Sequence, residues 1–175
     1  MLKMFTTQVT GLFNRLLEKE EFAIEDSARL LAQAAAGEGS IYIYGSAEMS
    51  AIPFEATEGA EPLNGAVRLQ SAEQVSTLNP ADRVLIFSRQ STDAEAVAIA
   101  EELIKEGLSF VAVSTIVDDG GLDALADVHI DLRIKKGMLP DENGERFGQP
   151  TSMAALFIYY GIKFTIDEMM AEYEE

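Results

Sequence analysis

Apolar residues at Leu2, Phe5, Val9, Leu12, Phe13 and Leu16 recur at the spacing of one helix face, which predicts a helix over 2–17. Phe22 to Ala36 continues as a second amphipathic helix, ended by Gly37 and Gly39. The period then shortens. Ile41-Tyr42-Ile43-Tyr44 predicts a strand that stops at Gly45, and Glu48 to Gly59 a helical stretch that Pro53 starts or kinks. Ala66 to Leu69, Arg83 to Ser88 and Ser109 to Ser114 predict three further strands, with a short helix at Ser71 to Leu78 and an alanine-rich one at Ala94 to Glu106. Val128, Ile130, Leu132 and Ile134 alternate with His129, Asp131, Arg133 and Lys135, the pattern of a strand with one wet face. That places this strand at the sheet edge and His129, the only histidine, on the surface.

Strands separated by helices predict an α/β fold, a three-layer α/β/α sandwich with a mainly parallel five-stranded sheet in a flavodoxin-like layout. Right-handed crossovers put every strand's C-terminal end on one side, where ligands of such sheets bind. The loops expected there are Gly45-Ser46-Ala47-Glu48, Ser88 to Thr92, and Ser114-Thr115 with Asp118 to Gly121. The middle loop carries the most chemistry. Backbone amides and the hydroxyls of Ser88, Ser91 and Thr92 would surround one small volume suited to an anion. Thr92-Asp93-Ala94-Glu95 equally fits a capping box, which satisfies helix-start amides with no ligand present. Both readings stand on the residues alone.

Length and composition narrow the partners. With 175 residues, 47% of them hydrophobic, the chain is read as a single domain over residues 1–175 with a full core. The longest stretch without a regular signal is 137–150. The absence of cysteine excludes disulfides, zinc–thiolate sites and thiol nucleophiles, and fits a cytoplasmic setting. Nothing in the sequence calls for a metal or cofactor. Thirteen Lys and Arg against thirty Asp and Glu give a net charge of −17, which repels nucleic acid and anionic membrane alike. The most apolar region, Met153 to Met170, is interrupted by Lys163, Thr165, Asp167 and Glu168 before it could span a bilayer, and reads as a buried or subunit-facing helix. The N-terminus lacks the basic start and apolar block of a secretory signal.

The order of these segments resembles the sugar isomerase (SIS) domain family, particularly its small members similar to phosphoheptose isomerase. The resemblance rests on Gly39 to Ser50, Ile86 to Glu95, Val111 to Thr115, Ala126 to Ile130 and Gln149 to Met170, and so covers nearly the whole chain. It implies a crevice for a small phosphorylated sugar, with Gly45, Ser46, Ser88, Arg89, Gln90, Ser91, Thr92, Thr115 and Gln149 as binding residues. In the central loop Ser88 and Glu95 match the family pattern, while Gln90, Ser91 and Asp93 replace the usual serine, glycine and threonine or serine. In the first loop Ala47 replaces a customary glycine and Met49 a serine, and Glu48 adds a negative charge beside the ligand's expected place.

The resemblance also implies a glutamate base and a histidine on the C-terminal helix for aldose–ketose isomerisation. Register puts Glu58, with Glu55 or Glu61 as alternatives, at the glutamate, and Phe157 at the histidine, where no proton can be carried. Tyr159, Tyr160 or a water is then needed as the acid. Three functions follow: a phosphosugar isomerase of altered chemistry, a sugar-phosphate sensor without turnover, or a structural oligomer whose loops are only caps. The apolar stretches in the helices over 2–36 and at the C-terminus exceed what one small sheet covers, which predicts a homodimer or homotetramer.

Overall fold

A computed structural model of the chain describes residues 1–117 and 120–174. Its five-stranded sheet is parallel throughout, in the order β2-β1-β3-β4-β5. The strands are β1 (Ile41–Gly45), β2 (Ala66–Arg68), β3 (Arg83–Gln90), β4 (Phe110–Thr115) and β5 (Val128–Asp131). Around it pack α1 (Leu2–Ala36), α2 (Ala51–Glu58), α3 (Ala94–Lys105), α4 (Leu122–Leu125) and α5 (Thr151–Glu174). An antiparallel pair, β6 (Leu139–Pro140) and β7 (Arg146–Phe147), lies within 137–150, where no regular element is expected.

The three layers follow from strands that are apolar on both faces. Leu85 and Phe87 of β3 point to one cluster with Leu12 and Leu31 of α1, Ile52 of α2 and Ile158 of α5. Val84 and Ile86 point to the other, with Ile99 and Leu103 of α3 and Leu122 of α4. Each such side chain contributes roughly 1.5–3 kcal/mol on burial, so both faces need a helical cover.

Residues 2–36 form one helix, not two. The apolar spacing lapses because Glu20 sits in the buried stripe between Leu16 and Ile24, 5% exposed. Its carboxylate accepts hydrogen bonds from Arg133 Nε and Nη2 at 3.0 and 2.7 Å. A charge stands where periodicity expects a hydrophobe, and its partner lies across the fold. Pro53 is the third residue of α2, within the first turn, where its missing N–H breaks no bond; it starts the helix and does not kink it.

His129 is also placed differently from the expected surface position. β5 is the sheet edge, as its alternation implies, but α4 packs against it and His129 is half-buried. Its Nε2 lies 2.8 Å from Ser114 Oγ. Burial lowers its proton affinity, against the opposing pull of Asp123 and Asp131. Among the described residues, no helix is long and apolar enough to cross a membrane.

The two strands that flank the crevice are stitched together at their other ends. Asp82, 3% exposed, accepts from the Ser40 and Asn79 amides, both at 2.7 Å, while Arg83 N donates to Ser40 O. Replacing Asp82 by alanine strands two amides and should cost about 2–4 kcal/mol. Thermal unfolding should report this as a midpoint lower by roughly 5–12 °C for a domain of this size.

Candidate functional site

Strand order reverses between β1 and β3: the chain goes from β1 outward to β2, then crosses back to β3 on the other side. Loops leaving the two strands therefore diverge, and a crevice opens at their C-terminal ends.

The β1 loop is a tight turn. A Cβ on Gly45 would sit 2.1 Å from the Met49 carbonyl oxygen, so only glycine fits. Ser46 N donates to Phe87 O at 3.2 Å, tying the loop to β3. Ala47 has φ +48°, the left-handed conformation that a glycine would take freely and that costs an alanine about 1 kcal/mol. A 3-10 turn over Ala47–Ser50 then delivers Glu48 to the crevice and leads into α2.

β3 runs two residues further than the sequence predicts, to Gln90, by way of an irregular register after Phe87. That shift decides the fate of the hydroxyls. Ser88 is wholly buried and donates to Gln90 O at 2.7 Å, bracing the bulge. Ser91, also wholly buried, donates to Val117 O and accepts from Val117 N, both at 3.1 Å, while its carbonyl accepts from Leu122 N. Thr115 Oγ1, 1% exposed with its residue, accepts from Ile134 N at 3.2 Å. These three hydroxyls hold loops in place below the crevice floor. Asp118 and Asp119 of the third loop lie outside the described residues.

The cap of α3 is Asp93, not Thr92. Asp93 Oδ1 accepts from Ala96 N at 3.2 Å, and Oδ2 accepts from Ser46 Oγ at 3.1 Å, so one carboxylate caps α3 and clamps the β1 loop. Thr92 is left exposed one position earlier. Glu95, expected to complete the box, accepts instead from Tyr44 OH at 3.1 Å.

Arg89 and Glu48 meet across the crevice. Arg89 Nε and Nη2 donate to the two oxygens of Glu48, each at 2.7 Å, and Thr151 Oγ1 at the start of α5 adds a third bond at 2.8 Å. The Arg89 hydrogen bonds hold the Glu48 carboxyl well below its ordinary range, at about 2. Ser46, Ala47, Arg89, Gln90, Thr92 and Asp93 line the resulting hollow of about 140 Å³. It adjoins another of about 300 Å³, bounded by Gly45, Ser50, Phe54, Arg68 and Gln70 among others.

The structure thus brings Gly45, Ser46, Arg89, Gln90 and Thr92 to these adjoining hollows, buries Ser88, Ser91 and Thr115 beneath them, and leaves Gln149 exposed two residues before α5. Glu58 stands apart. It is exposed at the last turn of α2 and pairs with Arg68 at 3.1 Å. Its neighbour Glu55 accepts from Tyr160 OH at 2.6 Å, and Glu61 is exposed. Phe157 stacks flat on Phe13 with ring centres 4.5 Å apart, fastening α5 to α1, and Tyr159 is buried in the core. The largest depression, about 690 Å³, runs between α1 and α5 and is mostly apolar, with Leu17, Ile24, Phe164 and Met169 in its lining. It lacks the arginine of the strand-end hollow. Thr151 and the paired state of Glu48 carry no local sequence signal, because their partners lie 103 and 41 residues away.

Residues 1–170 match a family model described as "Domain of unknown function (DUF2529)". The chain is 44% identical over 175 residues to the uncharacterized protein YwjG of Bacillus subtilis (strain 168), with 99% of each covered. Its fold is similar to that of E. coli CFT073 c3406 in complex with arabinose-5P, with a TM-score of 0.68 and 14% identity over 97% of this chain and 89% of that one. The Vibrio vulnificus NanR protein complexed with ManNAc-6P gives 0.73 and 13%, over 97% and 62%. Phosphoheptose isomerase GmhA from Neisseria gonorrhoeae gives 0.67 and 14%, over 94% and 95%. Identities this low establish a shared fold.

The Glu48 shift makes a pH prediction. Its folded-state value lies below the ordinary 4.5, so its contribution to stability is complete above that pH and disappears as pH falls from about 4.5 towards 2. Glu48→Gln should therefore melt a few degrees below the parent at pH 7, modestly because Arg89 is half exposed, with the gap closing on acidification. Unfolding midpoints of both proteins across pH 2.5–7 (about five points) measure it.

Proposed function

Starting from a chain that belongs to the DUF2529 family and folds as the sugar isomerase proteins do, we propose that it binds a small phosphorylated sugar at the C-terminal ends of β1 and β3. The observation that carries this reading is the hollow at the strand-order reversal, where a cation, Arg89, meets the hydroxyl of Thr92 and the N-terminal turn of α3. Helix-start amides and an arginine fork are the donors a phosphate needs. The ligands of the c3406 and NanR complexes, arabinose-5P and ManNAc-6P, support the choice of class. The adjoining hollow at Ser50, Phe54, Arg68 and Gln70 provides room for the sugar.

Binding without turnover is the primary reading. α5 offers no histidine, and Phe157 serves helix packing. A second reading, isomerisation, is favoured by one contact: the Glu55–Tyr160 pair sets a carboxylate against a phenol at the α2–α5 junction. The hydrogen bond to Glu55 raises the Tyr160 phenol above its ordinary value, which makes it a reluctant acid at neutral pH. Self-association is part of the proposal, as a homodimer or homotetramer. α1 exposes Leu2, Met4, Leu17 and Phe22, and α5 exposes Met153, Phe164 and Tyr173, an apolar surface best covered by a second copy.

Thermal unfolding against arabinose-5P, ManNAc-6P and inorganic phosphate tests the binding claim. At about a hundred times its dissociation constant a ligand adds roughly 2.7 kcal/mol, or on the order of 5–11 °C in midpoint. A rise of that size with a sugar phosphate, exceeding the rise with phosphate alone, is expected. A flat response to all three contradicts the reading.

A further inference from the structure

Among the described residues lining the hollow between β1 and β3, Arg89 supplies the cation, and that cation is already occupied. A guanidinium presents two parallel N–H groups that fit a carboxylate and a phosphate in the same way. Glu48 fills both, oxygen for oxygen, at 2.7 Å. Glu48 is not locked into this position by burial; it is half-buried, on a short 3-10 turn, and Arg89 is half exposed. The other carboxylate in the lining, Asp93, differs in kind. It is held by Ser46 and by the Ala96 amide, and cannot swing away without uncapping α3.

We propose that Glu48 is an internal stand-in for the ligand's anion: it occupies Arg89 while the crevice is empty, and a phosphate monoester binds by displacing it. This rests on the reading of the crevice as a sugar-phosphate site. Two consequences follow. A phosphate monoester brings close to two negative charges at neutral pH and three acceptor oxygens, so it outcompetes a single carboxylate. A sugar acid offers the fork only what Glu48 already gives and must also surrender its own freedom of motion, so the pair selects sugar phosphates over sugar acids. Displacement also breaks the Thr151 bond to Glu48, so that occupation of the crevice is felt at the first turn of α5, the helix that packs along α1.

Titration calorimetry with arabinose-5P, ManNAc-6P and inorganic phosphate on the parent, Glu48→Gln, Arg89→Met and the double variant tests the proposal. Removing the competitor should tighten phosphate binding about tenfold, the factor that about 1.4 kcal/mol represents, and removing the fork should weaken it comparably. The double variant should behave as Arg89→Met does. Binding by Glu48→Gln alone, with none by the parent, also supports the stand-in. If the parent binds and Glu48→Gln binds equally or more weakly, the stand-in role is overturned while the sugar-phosphate reading survives. If no protein in the set binds any of the three, that reading falls and the stand-in with it. In the unsubstituted protein the Arg89 Nε–H resonance should move as phosphate is added; a resonance that stays fixed while phosphate binds overturns the proposal however the variants fold.

Discussion

Because every residue of β4, and Val84 to Ser88 of β3, is withdrawn from water, both faces of the sheet need a helical layer. Parallel strands joined by crossovers supply one layer on each side, and right-handed connections then gather the strands' C-terminal ends at one edge. The crevice is a consequence of this packing. Where the strand order reverses, no connection covers the gap between β1 and β3, and the loops leaving these strands become its walls. Asp82 fixes the opposite ends of the same strands, so that the crevice is set on a firm base.

Polar chemistry near the crevice divides by depth. Hydroxyls that are wholly buried answer backbone groups, because an unsatisfied buried carbonyl or amide costs about as much as a lost hydrogen bond. Ser88 braces the bulge of β3 and Ser91 ties its end to Val117. Charged groups at the mouth pair with each other across elements that are remote in sequence. In a chain of net charge −17 an unpaired arginine at the crevice would be an attractive site for any anion, and Glu48 restrains it. That pair, more than the serines, distinguishes this crevice from the pattern that its sequence resembles.

The architecture was legible in the sequence because it depends on long apolar runs bounded by glycines and polar turns. Ile41 to Tyr44 and Arg83 to Ser88 both lie within strands of the sheet, and the alternation from Val128 onward correctly marks the edge. What escaped sequence reading are features decided by distant partners. Glu20 interrupts the stripe of α1 because Arg133, 113 positions away, neutralises it, and so one helix reads as two. His129 alternates with hydrophobes as a surface residue would, yet Ser114 and α4 enclose it. The extension of β3 to Gln90 shifts the cap from Thr92 to Asp93 and turns Ser88 and Ser91 inward, a difference of two residues that no propensity resolves. Glu58, chosen by register, is exposed and paired with Arg68 at the end of α2 rather than facing the hollow.

Occupation of the crevice is the central claim, and backbone hydrogen exchange with and without a sugar phosphate tests it most directly, since it reports where the chain is protected without presuming turnover. With arabinose-5P or ManNAc-6P in excess, protection should rise at residues 45–50 and 88–95, with a change at the first turn of α5. Protection confined to the groove between α1 and α5, or no change anywhere in the chain, would contradict the account.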